Sequence, residues 1–134
     1  MITGIEKTLA AWIRTFAEDE IVLENLPKKN GAVAVCMKDG RTTVEKYMYG
    51  IELRGCAFEL KTRVSSGKNS AETAAHRLEL IAENCFARSK PSGGLGVTIT
   101  AVYPTGSPVL TNRTNNGDDE YTLEMRVEWM EEYL

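Results

Sequence analysis

From Tyr121 to Trp129 the chain alternates without a break. Tyr121, Leu123, Met125, Val127 and Trp129 are apolar, and Thr122, Glu124, Arg126 and Glu128 stand between them. A period of two sustained over this length fits an extended strand with one face in a core and the other against water or a charged partner. A second segment repeats the pattern. Cys56, Phe58 and Leu60 fall on one face, with Glu59, Lys61 and Arg63 on the other. Two half-apolar strands need a layer over their apolar sides, and the rest of the chain contains segments of helical period to supply it.

The first of these lies near the start. Ile5, Leu9, Trp12, Ile13 and Phe16 recur at steps of three and four, which predicts a helix over 3–17. Glu6, Lys7 and Arg14 form its wet side, and Thr3 with Glu6 has the form of a capping box. The second helix, over 70–89, carries Ala71, Ala74, Ala75, Leu78, Ile81, Ala82, Cys85 and Phe86. Asn69 with Glu72 has the same box form. Its small residues come first and its large ones last, so the N-terminal half can approach a sheet closely while the other half fills volume.

The other strands are read from apolar runs bounded by turn residues. Leu26-Pro27-Lys28-Lys29-Asn30-Gly31 breaks any helix and launches a buried strand over 32–37. The turn Lys38-Asp39-Gly40 followed by a strand over 43–49 predicts a β-hairpin. A strand over 54–64 follows, then one over 95–103 in which Leu95, Val97, Ile99, Ala101 and Tyr103 share a face, ended by Pro104. The last strand, over 120–130, is expected to pair antiparallel with 95–103. Between the two, residues 104–120 read as a long polar loop, of the kind that is functional or disordered. The expected fold is α+β, one domain over 1–134. Its sheet is mixed or antiparallel, of about five strands, with two main helices packed on one face.

At 134 residues the chain matches one domain of common size. Its 43% hydrophobic and 26% charged residues are those of an ordinary globular protein. Sixteen Lys and Arg against nineteen Asp and Glu leave a net charge of −3, which is not the footprint of a general nucleic-acid binder. No apolar run reaches the length of a membrane span, and Met1 to Lys7 lacks the form of a secretory signal. Cys36, Cys56 and Cys85 are far apart, each within an apolar run, and read as reduced, mostly buried thiols.

The residues that carry chemistry are few. His76 is the single histidine and lies off the apolar stripe of its helix, which favours a surface position over general-base work. No thiol has a second histidine or a basic neighbour to activate it, which argues against acyl transfer through Cys36, Cys56 or Cys85. A zinc site would need carboxylates for most of its ligands. Gly93-Gly94-Leu95-Gly96 follows a helix and precedes a strand, the reverse of a phosphate-binding loop. Asn116-Gly117-Asp118-Asp119-Glu120 lacks the spacing of a calcium loop. Lys61, Arg63, Lys68, Arg77, Arg88 and Lys90 are interrupted by Glu59, Glu72, Glu79 and Glu83, a mixed-charge surface or a subunit interface. Trp129 is assigned to the core, and Tyr133 either closes the core or docks on a neighbour. Neither metal nor cofactor is expected.

The order of motifs is more informative than any one of them. It runs Ile5-Glu6-Lys7-Thr8-Leu9 with Trp12-Ile13, then Tyr47 to Gly50, the strand Phe58 to Arg63 and the helix start Ser70-Ala71-Glu72. Ser107 to Leu110 and Gly117 to Leu123 complete it. Over nearly the whole chain this resembles the small minor capsid and tail-completion proteins of phages and prophages, and is similar to the tail-terminator class. The resemblance implies a non-catalytic virion protein. Such a protein forms a homo-oligomeric ring, usually a hexamer, at the head–tail junction of a long-tailed phage, and is found in the host cytoplasm during assembly. Its implied partners are the tail tube protein and the head-connector proteins, with DNA passing through the lumen and no sequence-specific contact to it. No membrane is implied.

A ring subunit needs two different, complementary flanks. The charged faces of 57–63 and 122–128 and the segment 104–120 are the candidate contact surfaces, through Glu59, Lys61, Arg63, Val109, Leu110, Arg113, Glu124 and Arg126. The alternative is a small α+β ligand-binding or regulatory module with a pocket near His76, Tyr103 and Tyr121.

Overall fold

The structure, a computed structural model, describes residues 3–23, 31–38, 42–47, 50–91, 97–113 and 117–132, with backbone alone at 3, 4 and 42–47. The expected turn at Leu26–Asn30, the glycine run at 93–96, Asn116 of the acidic segment 116–120, the Thr3 cap and Tyr133 lie outside what is described. The element order is α1 (Thr3–Arg14), β1 (Glu20–Val22), β2 (Ala32–Met37), β3 (Thr42–Tyr47), β4 (Ile51–Ser65), α2 (Ser70–Ala87), β5 (Val97–Pro104), β6 (Val109–Arg113) and β7 (Asp118–Glu132). The class is α+β.

Strands β4 and β7, each of 15 residues, are the spine of the sheet. They pair antiparallel from Ile51 opposite Glu132 to Ser65 opposite Asp118. One register serves the whole length because a slip of one residue would turn every apolar side chain to the wrong face. Among the described residues the sheet has 7 strands, in the order β1-β2-β4-β7-β5, with β3 also on β4 and β6 also on β7. β4 is therefore flanked in tandem by β2 and β3, and β7 in tandem by β5 and β6. The pairing β1–β2 is parallel and the others are antiparallel, so the sheet is mixed.

The inner face is fixed by alternation. Cys56, Phe58, Leu60, Thr62 and Val64 of β4 oppose Val127, Met125, Leu123, Tyr121 and Asp119 of β7. The buried residues of both helices join these in one cluster: Ile5, Leu9, Ala10 and Ile13 from α1, and Ala74, Leu78, Ile81, Ala82 and Cys85 from α2. Trp129 and Phe58 are the largest fully buried side chains. Polar fasteners run through this core. Thr62 Oγ1 donates to the Ala32 carbonyl at 3.1 Å, and the Ser70 and Tyr121 hydroxyls meet at 3.2 Å.

Several expectations are corrected by this arrangement. The first helix ends at Arg14 rather than 17. Beyond it the Thr15 hydroxyl donates to the Trp12 carbonyl at 2.6 Å, and the Ala17 amide donates back to the Ile13 carbonyl. Asn69 precedes α2 without a side-chain capping bond, so the box form there is not realised. The strand after the 38–40 turn does not return on β2. It pairs with β4, and Gly50 at φ 74° supplies the left-handed residue that leads into β4. The alternation in β5 breaks at a bulge between Ile99 and Ala101. Val102, expected opposite Ile99, is thereby turned into the core, and Tyr103 is left half-buried. Finally, 104–120 is not one long loop, because β6 lies inside it and β7 begins at Asp118.

Candidate functional site

The outer face of β4 and β7 is built by the residues between the buried ones. Glu59 stands opposite Glu124, Lys61 opposite Thr122, Arg63 opposite Glu120 and Ala57 opposite Arg126. Carboxylates directly opposite one another repel, and the pair Glu59–Glu124 is held by a cation from the end of a third strand. Lys38, just beyond β2, places Nζ 3.5 Å from Glu59 and 4.0 Å from Glu124. Lys61 adds a contact of 3.7 Å to Glu59. Arg63 reaches Glu120 at 3.5 Å, and Asn112 of β6 donates to the same carboxylate oxygen at 3.4 Å.

Farther along, Arg126 pairs with Glu128 at 3.3 Å. Its guanidinium lies over Gly55, in the space that a β-carbon there would fill. A glycine in mid-strand is thus the condition for the arginine to lie flat on the sheet. The result is a face on which carboxylates and cations alternate and match. No described helix packs on it. Such a face has no strong field of one sign, but its alternation fixes the register of anything laid against it.

Of the sequence-predicted residues, Glu59, Lys61, Arg63, Glu124 and Arg126 are brought together here. Val109 shares a row with Thr122, so it stands at the margin of the same face. Leu110 and Arg113 do not join it, since their rows are those of Tyr121 and Asp119, which belong to the inner face. All of β6 is exposed, with Val109 at 55% and Arg113 ranged 4.0 Å from Asp119. Glu128, read on the charged face of 122–128, takes its place there, and Lys38 and Glu120 complete the face and were missed. Glu120 was legible from the alternation itself, whereas Lys38 joins only through the β2–β4 register.

The alternative site is not assembled as expected. A groove of about 600 Å³ lies between α2 and the end of β5, lined by Glu79, Ala82, Glu83, Phe86, Tyr103 and Pro104 among others. Tyr103 lines it. His76 and Tyr121 do not: His76 is exposed on α2, and the Tyr121 hydroxyl is turned to Ser70 in the core. Burial pushes the Cys85 thiol up from 9.0 to about 12, against a smaller downward pull from the Lys90 charge. That is the opposite of an activated nucleophile. Cys56 is also buried, with Sγ 3.4 Å from the Lys38 carbonyl, and Cys36 is half-buried.

Among the described residues there is no cluster of His, Cys, Asp and Glu with which to hold a metal ion, and no helix is long and apolar enough to cross a membrane. No family model matches the chain, and no curated protein matches it.

Proposed function

We propose that this chain is a non-catalytic structural subunit of a phage particle, assembling as a ring at the head–tail junction to complete or terminate the tail. The observation that carries the reading is the outer face of β4 and β7, a broad charge-matched surface with no described helix on it. A closed ring joins two different flanks of each copy, and alternating charge sets the register of such a joint without clamping any single ligand. The order of motifs along the sequence supports the same assignment. On this reading the ring is a hexamer, its neighbours are the tail tube and head-connector proteins, and DNA passes through its lumen.

Native mass by light scattering on a sizing column, over low to high micromolar protein, tests it. A hexamer, or a monomer that gives way to one, supports the proposal. A monomer at every concentration counts against it and favours the ligand-binding module, for which the groove beside Tyr103 is the specific feature.

A further inference from the structure

The groove between α2 and β5 has a chemical character of its own. Its floor is apolar, from Ala82, Pro104, Pro108 and Leu123, and the Phe86 ring at its edge is 71% exposed. Its rim carries Glu79 and Glu83, one helical turn apart. Both are exposed, and neither forms an ion pair among the described residues. Like charges at this spacing disfavour a helix slightly, and a cation laid between them reverses the sign. The groove is therefore complementary to an apolar segment that carries positive charge.

We infer that the groove receives the segment Leu26-Pro27-Lys28-Lys29 of a second copy of this chain, so that subunits join head to tail. This rests on the reading of the protein as a self-assembling ring subunit. The segment joins β1 to β2 and lies outside the described residues; its sequence sets an aliphatic side chain and a proline before two lysines. Leu and Pro match the floor, the lysines match Glu79 and Glu83, and proline lowers the entropy lost on docking.

The chain's own segment is badly placed to do this. β1 and β5 are at opposite ends of the strand order, about 19 Å apart along the sheet at the usual strand spacing. On the inner side, α2 stands between them. Its Arg77 meets Asp19 at 3.4 Å and its Arg88 lies over the Phe16 ring at 4.9 Å, so this flank of α2 faces α1 and the start of β1. Glu79, Glu83 and Phe86 are on the opposite flank. A segment tethered at both Leu23 and Gly31 reaches out about 15 Å at most, short of a groove beyond α2. Donor and acceptor on opposite flanks are what a heterologous, ring-closing contact requires. The exposed Val109 and Leu110 cannot serve as the donor in such a contact, because Pro108 lines the groove and β6 shares its flank.

The test is zero-length carbodiimide cross-linking of a mixture of ordinary and 15N-labelled protein at high micromolar concentration, read by peptide mass spectrometry beside the native mass. The expected product is a mixed-isotope pair joining Lys28 or Lys29 to Glu79 or Glu83. In the same assay Lys28→Glu/Lys29→Glu and Glu79→Lys/Glu83→Lys should each raise the half-assembly concentration at least about tenfold, with the four changes combined restoring it. Assembled protein lacking this cross-link, isotopically pure pairs only, or charge reversals that leave assembly unchanged would overturn the inference while the ring reading stands. A monomer throughout, giving no cross-link between copies, overturns both.

Discussion

The guanidinium of Arg77 donates to the hydroxyl of Thr62 at 2.7 Å, and that hydroxyl in turn donates to the Ala32 carbonyl. Thr62 is fully buried, so α2, β4 and β2 are fastened in series by polar atoms on the inner face. Arg77 also donates to the Arg63 carbonyl at 3.3 Å and meets Asp19 at 3.4 Å, tying the α1–β1 turn to the same point.

Arg77→Ala is expected to cost about 2 kcal/mol, because it leaves the buried Thr62 hydroxyl without its donor and breaks the tie to Asp19. Arg77→Lys, which keeps the charge but not the fork, should fall between it and the parent. Urea midpoints at constant slope measure both, and an unchanged midpoint in the alanine variant would refute the fastening role.

Cys85 sets a pH dependence. Its folded pKa lies above the unfolded value of 9.0, at about 12. Between these values the folded chain keeps a proton that the unfolded chain has released, so its contribution to stability is complete below pH 9 and declines as pH rises to 12. The slope is at most about 1.4 kcal/mol per pH unit. Cys85→Ala should lose this component in urea melts from pH 8 to 11. At pH 8 an aromatic disulfide reagent should label Cys36 in the native protein, with Cys56 and Cys85 reacting only after denaturation.

Trp129 is fully buried opposite Arg54, and its indole N–H donates to Glu131 at 2.7 Å. Trp129→Ala should cost about 3–5 kcal/mol in chemical denaturation. The emission of the parent should shift to the red on unfolding, and Trp129→Phe should remove most of that shift, since Trp12 is already partly exposed.

Gly55→Ala tests the flat arginine. An added methyl displaces the end of a flexible side chain rather than backbone. The expected cost is therefore within about 1 kcal/mol, the worth of the half-buried, partly solvated Arg126–Glu128 pair. If the outer face is a subunit contact, assembly should weaken far more than stability, and comparing the melt with the native mass separates the two.

Replacing residues 106–117 by a Gly/Ser linker of equal length removes β6 and with it the 3.0 Å contact between the Thr111 and Thr122 hydroxyls and the Asn112 bond to Glu120. The length is kept because Thr105 lies beside Glu124, six residues along β7 from Asp118. The chain should still fold, losing about 1–3 kcal/mol as edge hydrogen bonds go, while assembly fails. Circular dichroism melts and native mass measure the two effects, and a linker variant that assembles normally would remove β6 from the interface.

The elements legible from sequence are those whose burial writes a period into it. α1, α2, β4 and β7 each bury one face, and their apolar spacing shows it. β1 has 3 residues, too few to display a period, and is held by parallel pairing to β2. β6 buries no side chain at all, so nothing in its sequence distinguishes it from a loop; its strand character comes from backbone bonds to β7. The bulge in β5 misassigned Val102 because a single inserted residue inverts the alternation after it. On the outer face, alternation located Glu59, Lys61, Arg63, Glu124 and Arg126, but pairing partners such as Lys38 depend on register between distant strands.

The long β4–β7 pair also governs when this chain can fold. β4 ends at Ser65, and its partner begins only at Asp118, with α2 and two other strands made in between. While residues 118–132 are still inside the ribosome, Phe58, Leu60 and the apolar stripe of α2 have no Met125, Leu123 or Trp129 to pack against. Closure of the core is therefore a late, non-local event, and slow by the measure of contact separation. A nascent chain halted before β7 exposes one whole edge of β4, which makes such fragments the species most prone to aggregate during synthesis.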